Sequence, residues 1–467
     1  MGVVGVAGSV TTGSPGENDP IVVNFGTTIE NAVVALTATG NGADPYTIRV
    51  IDVTDTSFTF IIEEWEYLDG PHPAIETINW VAVAEGTHRL DDGRIIEAGF
   101  ASATETTGDA TFSSEFQNEV TSAPVVLTSV MSNNDAIAVD SDPRDVTTSG
   151  FNVRLQQEEA QRPLNTHAAE TVGWIAFETG GGSGASGLAL TGEGLDEGND
   201  VYDFDTTFGS APIVVADTQT VLGGDTARVE LVATSTTTVT LNLQEEQSQD
   251  TEVNHIDETV GFVAFASGTF EGQTICFTPG ALVATPLGAR PVETLQEGDL
   301  VITADDGLQP IRWIGSREMT GARLHTLPHE RPVIIRAGAL WPGCPTRDIR
   351  VSQQHRVLFK GALVALNYGV PEVLVPAKAL IGLPGIERDD SLSATRFIHM
   401  LLPQHGVMTV NGMLTESFHP AMDTLYGLSD QHRARLLEEV PGLATGSYGA
   451  TARKCLRVRD ATALRVA

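Results

Sequence analysis

The first 275 residues contain no lysine and no cysteine, and only seven arginines. Without cysteine this part of the chain is not a disulfide scaffold. With so few cations it would repel nucleic acid and anionic lipid, so neither is expected as a partner. Long apolar runs are missing throughout. The best candidate, residues 361–386, is interrupted by Asn367, Pro371, Glu372, Pro376 and Lys378, so no membrane span is expected. The N-terminus, Met-Gly-Val-Val-Gly-Val, has neither a basic n-region nor a long apolar h-region, and no Sec signal peptide is expected.

What is present divides unevenly. Hydrophobic residues make up 41 % of the 467 and charged residues 19 %, enough to bury cores in two to four domains. Of 27 Lys+Arg, 20 lie from Cys276 onward, against 18 of 61 Asp+Glu, so the first 275 residues carry a net −36 and the rest +2. Such asymmetry marks separate units. The acidic surface suits a salty medium, a cation-rich surface or simply high solubility. All three cysteines, Cys276, Cys344 and Cys455, fall in the second part; an odd number leaves at least one thiol free unless chains pair.

The acidic part repeats three times. Residues 58–86 carry Glu63-Glu64, His72 and Glu76-Thr77-Ile78-Asn79-Trp80-Val81-Ala82-Val83. Residues 151–180 carry Glu158-Glu159, His167 and Glu170-Thr171-Val172-Gly173-Trp174-Ile175-Ala176-Phe177. Residues 239–268 carry Glu245-Glu246, His255 and Glu258-Thr259-Val260-Gly261-Phe262-Val263-Ala264-Phe265. The aromatic position recurs after 94 and then 88 residues, and period-two alternation in 151–155 and 239–243 predicts strands. The expectation is three β-sandwich repeats, 1–95, 96–180 and 199–272, with 181–198 a Gly/Ser-rich flexible linker. The recurring Glu-Glu, His and Glu have two readings: they fix a loop or a unit interface, or they ligate a divalent cation. No cofactor and no assigned metal site is expected.

The order Phe116, Pro124, Val126, Gly150-Phe151, Trp174-Ile175-Ala176 resembles the H-type lectin domain. That resemblance implies a glycan or cell-surface partner and, because such lectins form trimers, an intramolecular pseudo-trimer of the repeats.

Three blocks follow at the compositional border. The first is Cys-Phe-Thr-Pro-Gly-Ala-Leu-Val from Cys276, with Ala289–Val301 behind it. The second is Ser352-Gln353-Gln354-His355. The third runs from His399 through His405 to Asn411-Gly412. In this order they resemble the Hint (Hedgehog/intein) domain of the bacterial intein-like type, a β horseshoe expected over 276–420, with a helical, Arg-rich extension over 421–467 whose helix would cover 429–443. The chain as a whole is therefore expected to be all-β.

A thiol beside a peptide bond can attack the preceding carbonyl, and the amide nitrogen must then gain a proton to leave. By resemblance Cys276 is the nucleophile, Ile275-Cys276 the scissile bond and His355 the residue that protonates the nitrogen. Ser352 helps hold the tetrahedral intermediate, His405 matches the late-block histidine, and His399 lies where a base belongs. No terminal His-Asn follows, so one-sided cleavage rather than splicing is expected. The product thioester would be resolved by water, a thiol or an amine. The implied whole is a single-turnover, self-processing protein, secreted or at a bacterial cell surface. The alternative is a carbohydrate-binding or adhesive β-repeat protein with an inactive Hint cap.

Overall fold

The computed structural model describes residues 3–13, 19–42, 44–68, 70, 72, 74–90, 92, 94–103, 112–115, 122–160, 167–184, 186–249, 251, 253–271, 275–321, 324, 331–391, 394–419, 435–436, 440, 451–456 and 461. The chain divides into two units, one of residues 3–90 with 94–271 and one of residues 272–467 with 1–2 and 91–93.

Among its described residues the first unit carries strands and no helix. Its strands are β1 (Val3–Thr11), β2 (Ile21–Asn24), β3 (Ala32–Ala38), β4 (Tyr46–Val53), β5 (Ser57–Glu64), β6 (Thr77–Ala84), β7 (Gly86–Arg89), β8 (Ile95–Ala103), β9 (Phe112–Glu115), β10 (Val125–Val130), β11 (Asp140–Arg144), β12 (Gly150–Gln156), β13 (Glu170–Phe177), β14 (Gly180–Gly181), β15 (Leu188–Leu195), β16 (Asp200–Asp203), β17 (Ile213–Thr218), β18 (Ala227–Thr234), β19 (Thr238–Glu245), β20 (Glu258–Phe265) and β21 (Gly268–Glu271). They make three pairs of sheets, each one four-stranded and one three-stranded: β21-β1-β6-β3 with β2-β5-β4, β10-β13-β8-β7 with β11-β12-β9, and β14-β15-β20-β17 with β16-β19-β18.

The central strands β6, β13 and β20 read as near-continuous apolar runs because both their faces are buried. One face closes its own sandwich: Phe262 and Ala264 pack with Leu241 and Leu243 of the opposite sheet, and Val172 and Ala176 with Phe151 and Val153. The alternate residues, Val81 and Val83, Ile175 and Phe177, Val263 and Phe265, meet in one core common to all three repeats. The three repeats thus share one core.

The repeat boundary differs from the sequence expectation. After each central strand the chain turns at a glycine with positive φ, 111° at Gly86, 109° at Gly180 and 125° at Gly268, a region costly for residues with a Cβ. The short strand that follows joins the next sheet. β7 pairs with β8, β14 with β15, and β21 returns to pair with β1. The last strand of the unit therefore closes the ring on the first. Phe270 of β21 is buried and stacks on Phe265 at 4.5 Å. Residues 181–198 are correspondingly no free linker. They carry β15, which pairs with the central strand β20 from Leu188 to Leu195, because Leu188, Ala189 and Leu195 supply core side chains that a Gly/Ser count does not weigh.

The recurring carboxylates fix loops. Glu76 accepts hydrogen bonds from Thr39 Oγ1 and the Asn41 amide. Glu170 accepts them from Ser132 and the Asn134 and Asp135 amides, and Glu258 from Thr220 and the Leu222 and Gly223 amides. His167 and His255 face backbone carbonyls through both ring nitrogens. Among the described residues no group of three or more His, Cys, Asp or Glu is arranged to hold a metal ion, and no helix is long and apolar enough to cross a membrane.

The second unit is built on a seven-stranded sheet. Its order is Gly288–Pro291, Leu282–Thr285, Val407–Val410, Met413–Glu416, Arg356–Lys360, Glu372–Pro376 and Lys454–Cys455. Strand Trp313–Met319 pairs with Thr395–Leu401, and a short helix covers Ala362–Tyr368. Asn411-Gly412 is a tight hairpin turn with φ of 48° and 76°, the conformation that Asn-Gly favours between two strands. Of the extension, Lys454–Cys455 adds a parallel edge to the sheet; the expected helix over 429–443 lies almost wholly outside the described residues.

Candidate active site

Cys276 is placed by its neighbour. Phe277 bridges Val351 on one side and Ile398 on the other, exchanging hydrogen bonds of 2.9 Å with Ile398 in both directions. The next residue on each flanking segment then falls beside Cys276: Ser352 and His399. Ser352 brackets the cysteine. Its Oγ accepts the Cys276 N–H at 2.9 Å, and its own N–H donates to the Cys276 carbonyl at 3.0 Å. His399 lies against both the nucleophile and the bond before it. Its ring nitrogens are each 3.5 Å from Cys276 Sγ, and Nδ1 is 3.1 Å from the Ile275 carbonyl oxygen. Phe418, with its ring centroid at 4.9 Å, and Trp313 back the imidazole. Ile275, Cys276, Ser352 and His399 are all buried, so the junction is shielded from water.

The structure thus brings together three of the five residues singled out in the sequence, Cys276, Ser352 and His399. Ser352 Oγ sits on the amide nitrogen, and His399, at the position expected for a base, touches the thiol and the carbonyl.

His355 is one layer away. The turn Ser352–His355 closes with its N–H on the Ser352 carbonyl at 3.1 Å, and its ring meets Phe277 edge-on at 4.3 Å. Its Nε2 lies 2.6 Å from Thr415 Oγ1. Complete burial, reinforced by the Arg356 cation and opposed by Glu416, pushes its pKa down to about 4. The resting imidazole is therefore neutral at pH 7.

His405 belongs to a separate polar cluster. Its Nδ1 accepts the Ala452 N–H at 2.9 Å, and its Nε2 lies 3.3 Å from Glu416 Oε2. Glu416 also accepts the Arg356 backbone N–H at 2.7 Å and lies 3.2 Å from the Arg356 guanidinium. Burial would raise this carboxyl, yet Arg356 and His405 hold it down at about 2. His405 thereby ties the segment at 452 to the sheet. Thr415 and Glu416 escaped notice in the sequence, where they read only as the place at which a terminal His-Asn is missing. The available signal was three consecutive polar residues, Thr415-Glu416-Ser417, within an alternating apolar stretch. All three are fully buried.

The chemistry open to this arrangement is acyl transfer. It has a thiol, an imidazole within reach of that thiol and of the neighbouring carbonyl oxygen, and a hydroxyl on the amide nitrogen. Cys344 and Cys455 are in no disulfide, and their thiols are bonded weakly to the backbone carbonyls of Gly412 and Arg453.

Residues 275–422 match the family model of the Hint domain, and this part of the chain is a Hint domain. The chain is also similar to halomucin from Haloquadratum walsbyi, with 28 % identity over 273 residues. That stretch is 56 % of this chain but 3 % of halomucin, so the chain spans only a small fraction of that protein's length.

Proposed function

We propose that the Hint domain cleaves the Ile275-Cys276 bond by an N-to-S acyl shift and so releases, or transfers to an acceptor, the acidic three-repeat unit. The single observation that carries this reading is His399, in contact with Cys276 Sγ at 3.5 Å and with the Ile275 oxygen at 3.1 Å. His399 takes the thiol proton, and the thiolate attacks the Ile275 carbonyl carbon. The imidazolium then donates to the oxyanion. The C–N bond breaks as the Cys276 nitrogen takes a proton from the Ser352 hydroxyl that already contacts it. The proton that His399 took from the thiol passes back through the His355 imidazole, which accepts it and releases it to the Ser352 oxygen, so that one proton moves from sulfur to nitrogen overall. The products are a thioester between Ile275 and Cys276 and a free amine on Cys276. Water, a small thiol or an amine then displaces the thiol. The ring is complete at Glu271, before the bond to be cut, so the released unit keeps its closing strand. Secretion or display at a cell surface fits the acidic composition of the repeat unit.

Incubation of the full chain with dithiothreitol or hydroxylamine tests this: two fragments should form, and Cys276→Ala should stop them. A wild-type chain that stays folded and whole sinks the reading.

A second reading, that the repeats bind carbohydrate while the Hint domain acts as a structural cap, is favoured by one feature. A cavity of about 330 Å³ between the first two repeats is lined by Ile51, Ile61, Glu63, Asn133, Asn134, Asp135 and Ala136. Carboxylates and amides over an apolar floor suit sugar hydroxyls. A glycan array probed with residues 1–275 tests it, and uniform silence counts against it.

A further inference from the structure

Among the described residues, Thr415 makes the one side-chain hydrogen bond of the His355 ring. Its Oγ1 is 2.7 Å from the Arg356 carbonyl oxygen and 2.6 Å from His355 Nε2. A carbonyl oxygen can only accept, so the single hydroxyl proton of Thr415 goes to Arg356. The Thr415 oxygen is left to accept, and the partner that must donate to it is His355 Nε2–H. The imidazole is therefore held in one tautomer, with the proton on Nε2 and a bare lone pair on Nδ1. That Nδ1 is buried and has no hydrogen-bond partner among the described residues, in a residue fully enclosed by protein. An unsatisfied buried acceptor has a cost, and here it leaves a nitrogen ready to receive a proton.

We infer that Thr415 is a positioning residue for processing: it fixes the His355 tautomer so that Nδ1, and not Nε2, is the nitrogen that exchanges protons during the acyl shift. This rests on the reading that His355 takes part in processing. The hydroxyl is held in its turn by the register of strand Met413–Glu416 against Arg356–Lys360, where Thr415 pairs with Val357. Glu416, the next residue, accepts the Arg356 N–H from the same peptide neighbourhood. The strand thus clamps Arg356 at both its N–H and its C=O, which keeps the carbonyl aimed at Thr415. No group other than Thr415 is needed to set the tautomer, and the assignment does not depend on which molecule finally resolves the thioester.

The test uses the full chain with ¹⁵N-labelled histidine, in a Cys276→Ala background for spectroscopy and with Cys276 intact for rates. Long-range proton–nitrogen spectra report the tautomer of each imidazole, and His355→Gln identifies the His355 signals. The expected result is an Nε2–H tautomer for His355 at pH 7. Thr415→Val, nearly the same shape, should release Nε2 to a mixed or reversed tautomer and slow thioester formation by roughly 10²-fold, the lower end of what a positioned acid–base group supplies. Thr415→Ser, which keeps the hydroxyl, should retain both the tautomer and the rate even where Thr415→Val folds poorly. Three results overturn the inference: an Nδ1–H tautomer in the parent chain, an unchanged tautomer and rate in folded Thr415→Val, or Thr415→Ser as slow as Thr415→Val. If His355→Gln processes at the parent rate, there is nothing for Thr415 to position and the inference falls with the role of His355. The Cys276→Ala comparison would still decide the proposed cleavage separately.

Discussion

Replacing His399 by Asn removes two functions held in one ring. The wild-type imidazole is 3.5 Å from Cys276 Sγ and 3.1 Å from the Ile275 oxygen. A general base supplies about 10²- to 10⁴-fold, and an oxyanion donor about 10²- to 10³-fold. The two act in sequence through the same group, so their losses do not simply multiply. The expected slowing is roughly 10³- to 10⁴-fold, or about 4–5.5 kcal/mol of barrier. Asn keeps a polar amide but leaves part of the space between Phe418 and Trp313 empty, for a stability cost of about 1–3 kcal/mol. Cleavage in dithiothreitol, followed by mass spectrometry, gives the rate. Near-ultraviolet circular dichroism on the same samples gives the fold. A folded His399→Asn that forms fragments at the wild-type rate refutes the assignment of His399 as base.

Ser352→Ala should slow processing, because the leaving nitrogen loses its hydroxyl partner, while Ser352→Thr should match or exceed wild type; single-turnover rates check both. In the repeat unit, Phe270→Ala should cost about 3–5 kcal/mol by opening the ring where β21 meets β1, read as a lower urea midpoint for residues 1–275. Acid should weaken the Hint unit in two stages. His355, depressed to about 4, contributes stability that is present above about 6.5 and lost as pH falls through 4. Glu416, held at about 2, contributes stability lost from about 4.3 downward through 2. His355→Gln should flatten the upper stage of a pH–melting curve and leave the lower. The repeat unit should lose stability as pH rises from acid toward neutrality. Burial and the Asp140 carboxylate push Asp142 up, and burial and Asp142 push the neighbouring Asp217 up as well, so their contribution is complete below about 3.9 and is lost as pH rises above it. Asp142→Asn should reduce that loss, and an unchanged slope between about pH 4 and 8 counts against it.

Much of this was legible in the residues. The Trp80, Trp174 and Phe262 spacing located the central strands, because strands buried on both faces must be apolar at every position. The glycines that end each repeat in the sequence, Gly86, Gly180 and Gly268, are the points where the chain crosses to the next sheet. What they lead into was not legible, since a two- or four-residue edge strand has no periodicity of its own. Leu188–Leu195 was hidden for a different reason: the glycines beside it outweighed three buried leucines and alanines. At the Hint site, Cys276, Ser352 and His399 were legible as residue types, but their roles depended on register. One bridge at Phe277 decides that His399 meets the thiol and carbonyl while His355 turns toward Thr415. A motif carries the order of such residues along the chain, not the strand pairing that sets which atoms touch.

The central claim is that a thioester forms between Ile275 and Cys276. Intact mass spectrometry after incubation with hydroxylamine tests it most directly. The account predicts an N-terminal fragment ending at Ile275 as its hydroxamate, a C-terminal fragment beginning with a free Cys276 amine, and neither product from Cys276→Ala. Fragments ending at any other residue, or the same fragments from Cys276→Ala, would contradict it.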